Sequence, residues 1–195
     1  MGLRGFGPWL RANFPTAFTT LNDTLPAPYT SVHIDINTLL YTFARQTDSP
    51  ARVLHSTSHY IHSLLSDRTR PQHRLVMAID GAASVPKLAV QRVRRRQNGE
   101  RADRDGMFDC RQLTPGCLFM ADFAGMARQW AVNWLRSRVL PESCAVIVDP
   151  VTRAGEGEHK ILQDIYRFSK PGDRIAIVSC DSDLFLYPLL APSDR

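Results

Sequence analysis

Short apolar runs alternate along this chain with stretches whose apolar residues recur at helical spacing. The runs are 31–36 (SVHIDI), 74–80 (RLVMAID), 144–149 (CAVIVD) and 174–180 (RIAIVSC). The last three are continuous rather than alternating, as expected of strands covered on both faces. Between them, 5–13 predicts a short helix with Phe6, Trp9 and Leu10 on one side, ended by Pro15. Residues 38–45 predict a second helix, and 52–66 a third, with Val53, Leu54, Ile61, Leu64 and Leu65 at helical spacing. Pro86 opens another helix that runs to about Arg96, and 98–106 is so highly charged that it predicts a mobile loop. An amphipathic helix follows over 118–138, another from the glycines near 157 to about Ser169, and a last one over 184–190. This alternation predicts a single α/β domain over 1–195, with a mostly parallel sheet and helices on both faces.

In such sheets, sites form beyond the carboxyl ends of the strands. All four predicted strands bring acids there: Asp35, Asp80, Glu156 with Glu158, and Asp181 with Asp183. Asp35 alone reads as a helix cap. Acids at every strand end are a different matter, because six carboxylates on one rim repel one another unless cations sit among them. Hard oxygen ligands select Mg²⁺ or Mn²⁺, and several in one cleft suit two ions that clamp the attacking and leaving oxygens of a phosphodiester. The stretch Gly155-Glu156-Gly157-Glu158-His159-Lys160, at a strand-to-helix turn, is the densest part of this pattern. Asp149 and Asp164 read as structural acids.

Lys87, Gln91, Arg94 and Arg95 share one face of the helix that begins just past Asp80. Read on its own, this is a solvated basic face; beside a metal rim it is a pocket for a terminal phosphate. Arg92 and Arg96 point elsewhere. His159 suits hydrogen bonding to a carboxylate or a substrate phosphate, with Lys160 beside it as an auxiliary contact. Tyr41 can stack a base. Trp9 can also stack, although a core position fits it better.

Composition adds a lean toward polyanions: the formal charge is +5 and the sequence pI about 9.3. The four cysteines, Cys110, Cys117, Cys144 and Cys180, lack metal-finger spacing. Two of them fall in predicted core strands, and together they read as reduced thiols of an intracellular protein. No run approaches the length of a transmembrane span, and the N-terminus lacks the apolar core of a secretory signal.

Taken together, these motifs resemble the XRN-type 5′→3′ exoribonucleases, relatives of the flap-endonuclease and PIN-like nucleases. The opening MGLRGFGPWLRANFP resembles the family's start and argues against a presequence. HIDIN, carrying Asp35 and Asn37, MAIDGAASVPK, carrying Asp80, the TPG at 114–116, GEGEHK and SCDSDLFL each resemble a family signature. The resemblance implies a PIN/FEN-like core whose metal ligands are Asp35, Asp80, Glu156, Glu158, Asp181 and Asp183. It places Lys87, Gln91, Arg94 and Arg95 at the 5′-phosphate pocket, and Asn37, Tyr41, His159 and Lys160 in auxiliary roles. Tyr41 stands where the family has a stacking histidine, and Thr38 where it has glycine. The family core is longer and supplies a seventh aspartate, so the chain reads as a partial catalytic core. The implied activity is hydrolysis of single-stranded RNA bearing a 5′ monophosphate, with two Mg²⁺ or Mn²⁺ ions, in nucleus or cytoplasm alike. The alternatives are an inactive RNA-binding or assembly subunit and a structure-specific flap nuclease.

Overall fold

The computed structural model describes residues 5–19, 28–181, 184 and 186, with the backbone alone at 94, 101, 103 and 104. Its centre is a four-stranded, wholly parallel sheet in the order β3-β2-β1-β4. The strands are β1 (Ser31–Asp35), β2 (Arg74–Ala78), β3 (Ala145–Asp149) and β4 (Ile175–Val178). Register pairs Asp35 with Ala78, and Ala78 with Asp149, so the carboxyl ends lie level. That alignment brings acids remote in sequence to one rim.

The helices are α1 (Phe6–Asn13), α2 (Ile36–Ala44), α3 (Pro50–Ser63), α4 (Val85–Asp105), α5 (Leu118–Arg136) and α6 (Gly157–Phe168). Val32 and Ile34 of β1 point into a core shared with α2, α3 and α5, which includes Leu40, Val53, Ile61, Met120, Phe123 and Trp134. The alternate residues of β1, Ser31, His33 and Asp35, point to the other face, where α6 packs on β1 and β2. Helices thus cover both faces, as the apolar runs imply.

Helix starts follow local chemistry. The Ser49 side chain caps α3 by accepting from the Arg52 N–H at 3.4 Å, and Pro50 fills the first turn. A single π-helical turn, Leu64–Thr69, closes this segment.

The largest departure from the sequence reading is α4. It does not stop near Arg96 but runs 21 residues to Asp105, so 98–105 is helix and not loop. Glu100, Arg101, Ala102 and Arg104 are residue types that favour helix, and Ala102 is buried. Gly99 lies against the Arg111 side chain, where an added Cβ would sit 2.7 Å from it. Gly106, at φ 62°, ends the helix in the left-handed conformation. Cys144 is buried, but Cys180, expected in a core strand, lies exposed past the end of β4; all four thiols are unpaired. All of the expected helix over 184–190 except Leu184 and Leu186 lies outside the described residues. Among the described residues, no helix is long and apolar enough to cross a membrane.

Candidate metal centre

Asp35 ends β1 at the N-cap position of α2, yet its carboxylate makes no capping bond there. The Ser179 hydroxyl donates to its Oδ2 at 3.0 Å. Its Oδ1 is buried with no hydrogen-bond partner. Burial, followed by the neighbouring charge of Asp80, pushes the Asp35 carboxyl up to about 7.

Asp80 lies two residues past β2. Its N–H donates to the Asn37 Oδ1 at 2.9 Å, and its Oδ1 accepts the Gly157 N–H at 2.6 Å. Burial holds this carboxyl above the usual range, while the Gly157 bond pulls the other way. Gly157 opens α6 under both aspartates. A Cβ there would lie 3.0 Å from Asp35 Oδ1 and 3.3 Å from Asp80 Oδ1. The glycine between the two glutamates is therefore required by close approach and not by positive φ. Gly81 is equally confined, because its Cβ would overlap the Arg153 carbonyl.

Glu156 is the N-cap residue of α6, again with no side-chain capping bond. The Lys87 ammonium lies 2.6 Å from Glu156 Oε2 and 3.7 Å from Glu158 Oε1. Burial, then the charge of Glu156, raises Glu158 to about 7, and the Asp181 charge adds to this. His159, half exposed, has Nδ1 3.8 Å from Glu156 Oε2 and 3.7 Å from Glu158 Oε1. One donor atom from each of Glu156, Glu158 and His159 lies within 4.8 Å of the other two. At the end of β4, the Asp181 N–H donates to the Ser179 hydroxyl at 3.0 Å, which ties that turn to Asp35. Asp183 lies outside the described residues.

The basic face of α4 reaches this rim. The Gln91 side-chain amide donates to Glu156 Oε1 at 3.4 Å, and Arg95 Nη2 donates to Gln91 Oε1 at 3.0 Å. The Arg94 side chain is outside the described atoms. Tyr41 is partly buried against the core. Trp9 is not a core residue: it is 53% exposed and stacks on Phe6 with centroids 6.1 Å apart.

Lys160 corrects the sequence reading. It does not face solvent or an RNA strand but is 1% exposed. Its ammonium donates to the carbonyls of Ile79 at 2.6 Å and Pro150 at 2.8 Å, and lies 3.5 Å from Asp149 Oδ1. It fastens the segment after β3 to the residue preceding Asp80. Burial lowers its pKa, and Asp149 opposes this. The signal was present in the sequence, since Lys160 falls on the inward stripe of α6 with Gly157, Ile161 and Asp164. Asp149 also pairs with Arg153, and Asp164 with Arg74, so both are structural acids.

The residues fit a divalent cation on three counts. Asp35 Oδ1 is an orphaned buried acceptor. Three carboxyls are held above their ordinary range by burial and by one another. An ammonium lies on the Glu156–Glu158 pair as a cation would. Oxygen donors of this kind suit hard ions.

Fold and rim together define a parallel α/β domain with a carboxylate cage at the ends of its strands and a basic helix beside it. The model of the XRN 5′–3′ exonuclease N-terminus family matches residues 1–107 and 96–194, and the chain belongs to that family. It is 26% identical over 218 residues to 5′–3′ exoribonuclease 1 of Schizosaccharomyces pombe, covering 98% of this chain and 16% of that protein. It is 24% identical over 246 residues to 5′–3′ exoribonuclease 2 of Gallus gallus, covering 97% of this chain and 25% of that protein. With the corresponding protein of Aspergillus fumigatus the identity is 29% over 154 residues, covering 62% and 15%. The chain thus spans a quarter or less of the length of these relatives.

Proposed function

We propose that this chain carries the catalytic rim of a divalent-metal-dependent 5′→3′ exoribonuclease acting on single-stranded RNA with a 5′ monophosphate. The supporting observation is the convergence of raised carboxyls from three strand ends, Asp35, Asp80 and Glu158, beside the Lys87–Gln91–Arg95 face. Asp35, Asp80, Glu156, Glu158 and Asp181 would hold two Mg²⁺ or Mn²⁺ ions, with Asp183 completing the set. Bound ions supply charge neutralisation at the phosphodiester and water of lowered pKa.

The chain's own groups do the rest. Lys87, Gln91, Arg94 and Arg95 take the terminal phosphate and set the first phosphodiester over the rim. Gly157 keeps the floor free of side-chain bulk. Water oxygen bonds to phosphorus, the bond to the 3′ oxygen breaks with a proton passing to that oxygen, and a 5′ mononucleotide leaves. A capped or triphosphate end is excluded by size.

The test is incubation with Mg²⁺ and labelled RNA carrying either a 5′ monophosphate or a 5′ triphosphate. Monophosphate RNA should decay progressively from its 5′ end, and D80N should slow that decay about 10³-fold or more. Equal decay of both RNAs removes the end-binding pocket from the proposal. RNA binding with no metal-dependent cleavage makes the chain a binding or assembly subunit instead.

A further inference from the structure

Three of the chain's six histidines, His55, His59 and His62, lie on α3, spaced i, i+4 and i+7. None serves the rim described above. All three are exposed, while Val53, Thr57 and Ile61 on the opposite stripe are buried. The His55 and His59 rings already face one another, with centroids 6.3 Å apart and planes tilted by 33°. His62 continues the stripe one turn further on. α3 belongs to the layer packed on α2 and α5, whereas α6 covers the other face of the sheet.

We propose that His55 and His59, supported by His62, form a surface chelate for a borderline transition-metal ion such as Zn²⁺ or Ni²⁺, independent of the carboxylate rim. Side chains at i and i+4 on a helix start about 5–6 Å apart at Cβ, and Zn–N bonds are about 2.0–2.1 Å. Rotation of two exposed rings about their side-chain bonds brings one nitrogen of each onto a common ion, with water filling the remaining positions. The donors are imidazole nitrogens, so the site favours borderline ions over Mg²⁺, whereas the rim offers mainly carboxylate oxygen. One small domain would then sort two classes of cation onto opposite layers.

The experiment is calorimetric titration of NiCl₂, and separately ZnCl₂, into the full chain with MgCl₂ in large excess. An E156Q/E158Q variant is run in parallel to remove the rim as a competing site. Both proteins should take up the ion. H59A, which leaves no i, i+4 pair, should bind about a hundred-fold more weakly, the loss of the chelate advantage. Exchanging neighbours in H59Y/Y60H keeps three histidines, now at 55, 60 and 62 with no pair three or four residues apart, and should lose as much. Thermal unfolding without metal checks that these variants fold. On the wild-type protein, substoichiometric Ni²⁺ should broaden the imidazole resonances of His55 and His59 and leave buried His33 sharp. Binding that is unchanged in H59A or H59Y/Y60H, or that disappears in E156Q/E158Q, overturns the proposal.

Discussion

At one end of α6, Asp164 accepts two hydrogen bonds from the Arg74 guanidinium, at 2.8 and 2.6 Å, and the guanidinium lies 4.0 Å over the Phe168 ring. His33 stands beside this pair, with Nδ1 3.8 Å from Asp164 Oδ2 and Nε2 3.1 Å from the Ser31 hydroxyl. At the other end, Asp35 and Asp80 lie against Gly157 with no cationic side chain directly bonded to either among the described residues. Both clusters occupy the same face of the sheet and the same helix. One is matched charge for charge. The other accumulates negative charge around Asp35 Oδ1, which, like His33 Nδ1 at the first end, has no hydrogen-bond partner. Burying an unmatched charge is costly, so such a group shifts its pKa or waits for a counter-ion. The contrast separates a structural anchor from a site that needs a ligand.

The two clusters titrate in opposite senses, and this gives the largest effect on stability. Asp35, raised to about 7 from its ordinary value of 3.8, binds its proton more tightly when folded. Its contribution is therefore full below the unfolded pKa and lost as pH rises through 7. His33, lowered by burial to about 4 from 6.5, is the reverse: folding holds it neutral, and stability is lost as pH falls from 6.5 through 4. In metal-free protein, moving from about pH 8 to about pH 5 should stabilise through Asp35 by roughly 3 kcal/mol and destabilise through His33 by roughly 2 kcal/mol. D35N should reduce the gain on acidification to the share of Asp80 and Glu158, whose carboxyls are raised too; H33Q should enlarge that gain. Urea unfolding in EDTA at the two pH values measures both slopes. Slopes unchanged by either substitution would show that the two ends do not differ as described. Added Mg²⁺ should stabilise the wild type at the higher pH and D35N much less.

Arg74→Met breaks the matched end instead. It removes the guanidinium from a half-buried carboxylate and from the Phe168 ring but keeps an unbranched stem. A cost of about 2 kcal/mol is expected, less than for a fully buried pair. The Mg²⁺-induced rise in Tm should survive, because no rim ligand has moved. Loss of that rise in R74M would show that the two ends communicate along α6.

Some of this contrast was legible in the sequence. Parallel strands put all their carboxyl ends on one side, so Asp35, Asp80, Glu156, Glu158 and Asp181 could be grouped from the order of runs alone. Helical spacing likewise placed Gln91 and Arg95 with Lys87. What stayed hidden depended on pairing. His33 sits in an apolar strand and gives no sign of its neighbours until α6 is docked. Lys160 looks solvent-facing because lysine usually is, and only the stripe it shares with Ile161 shows that it turns inward. The continuation of α4 through 98–105 has no apolar period, and its ending is set by Gly106. The role of Ser179 as a link between Asp35 and Asp181 has no sequence signature at all.

Lys87 tests the boundary of the unmatched end, with the smallest expected effect. Its ammonium is nearly half exposed and bridges Glu156 and Glu158, so it neutralises the rim when no ion is present and is available to a phosphate when one is. K87M should therefore change stability by less than about 1 kcal/mol, since partly exposed ion pairs contribute little. Its effect should fall on recognition, where a lost charged hydrogen bond is worth about ten-fold in preference for a 5′ monophosphate over a 5′ hydroxyl. Competition between the two RNAs at one Mg²⁺ concentration reads that ratio directly. An unchanged ratio with weakened Mg²⁺ dependence would assign Lys87 to the carboxylates rather than to the substrate, and would move the edge of the unmatched region outward to include α4.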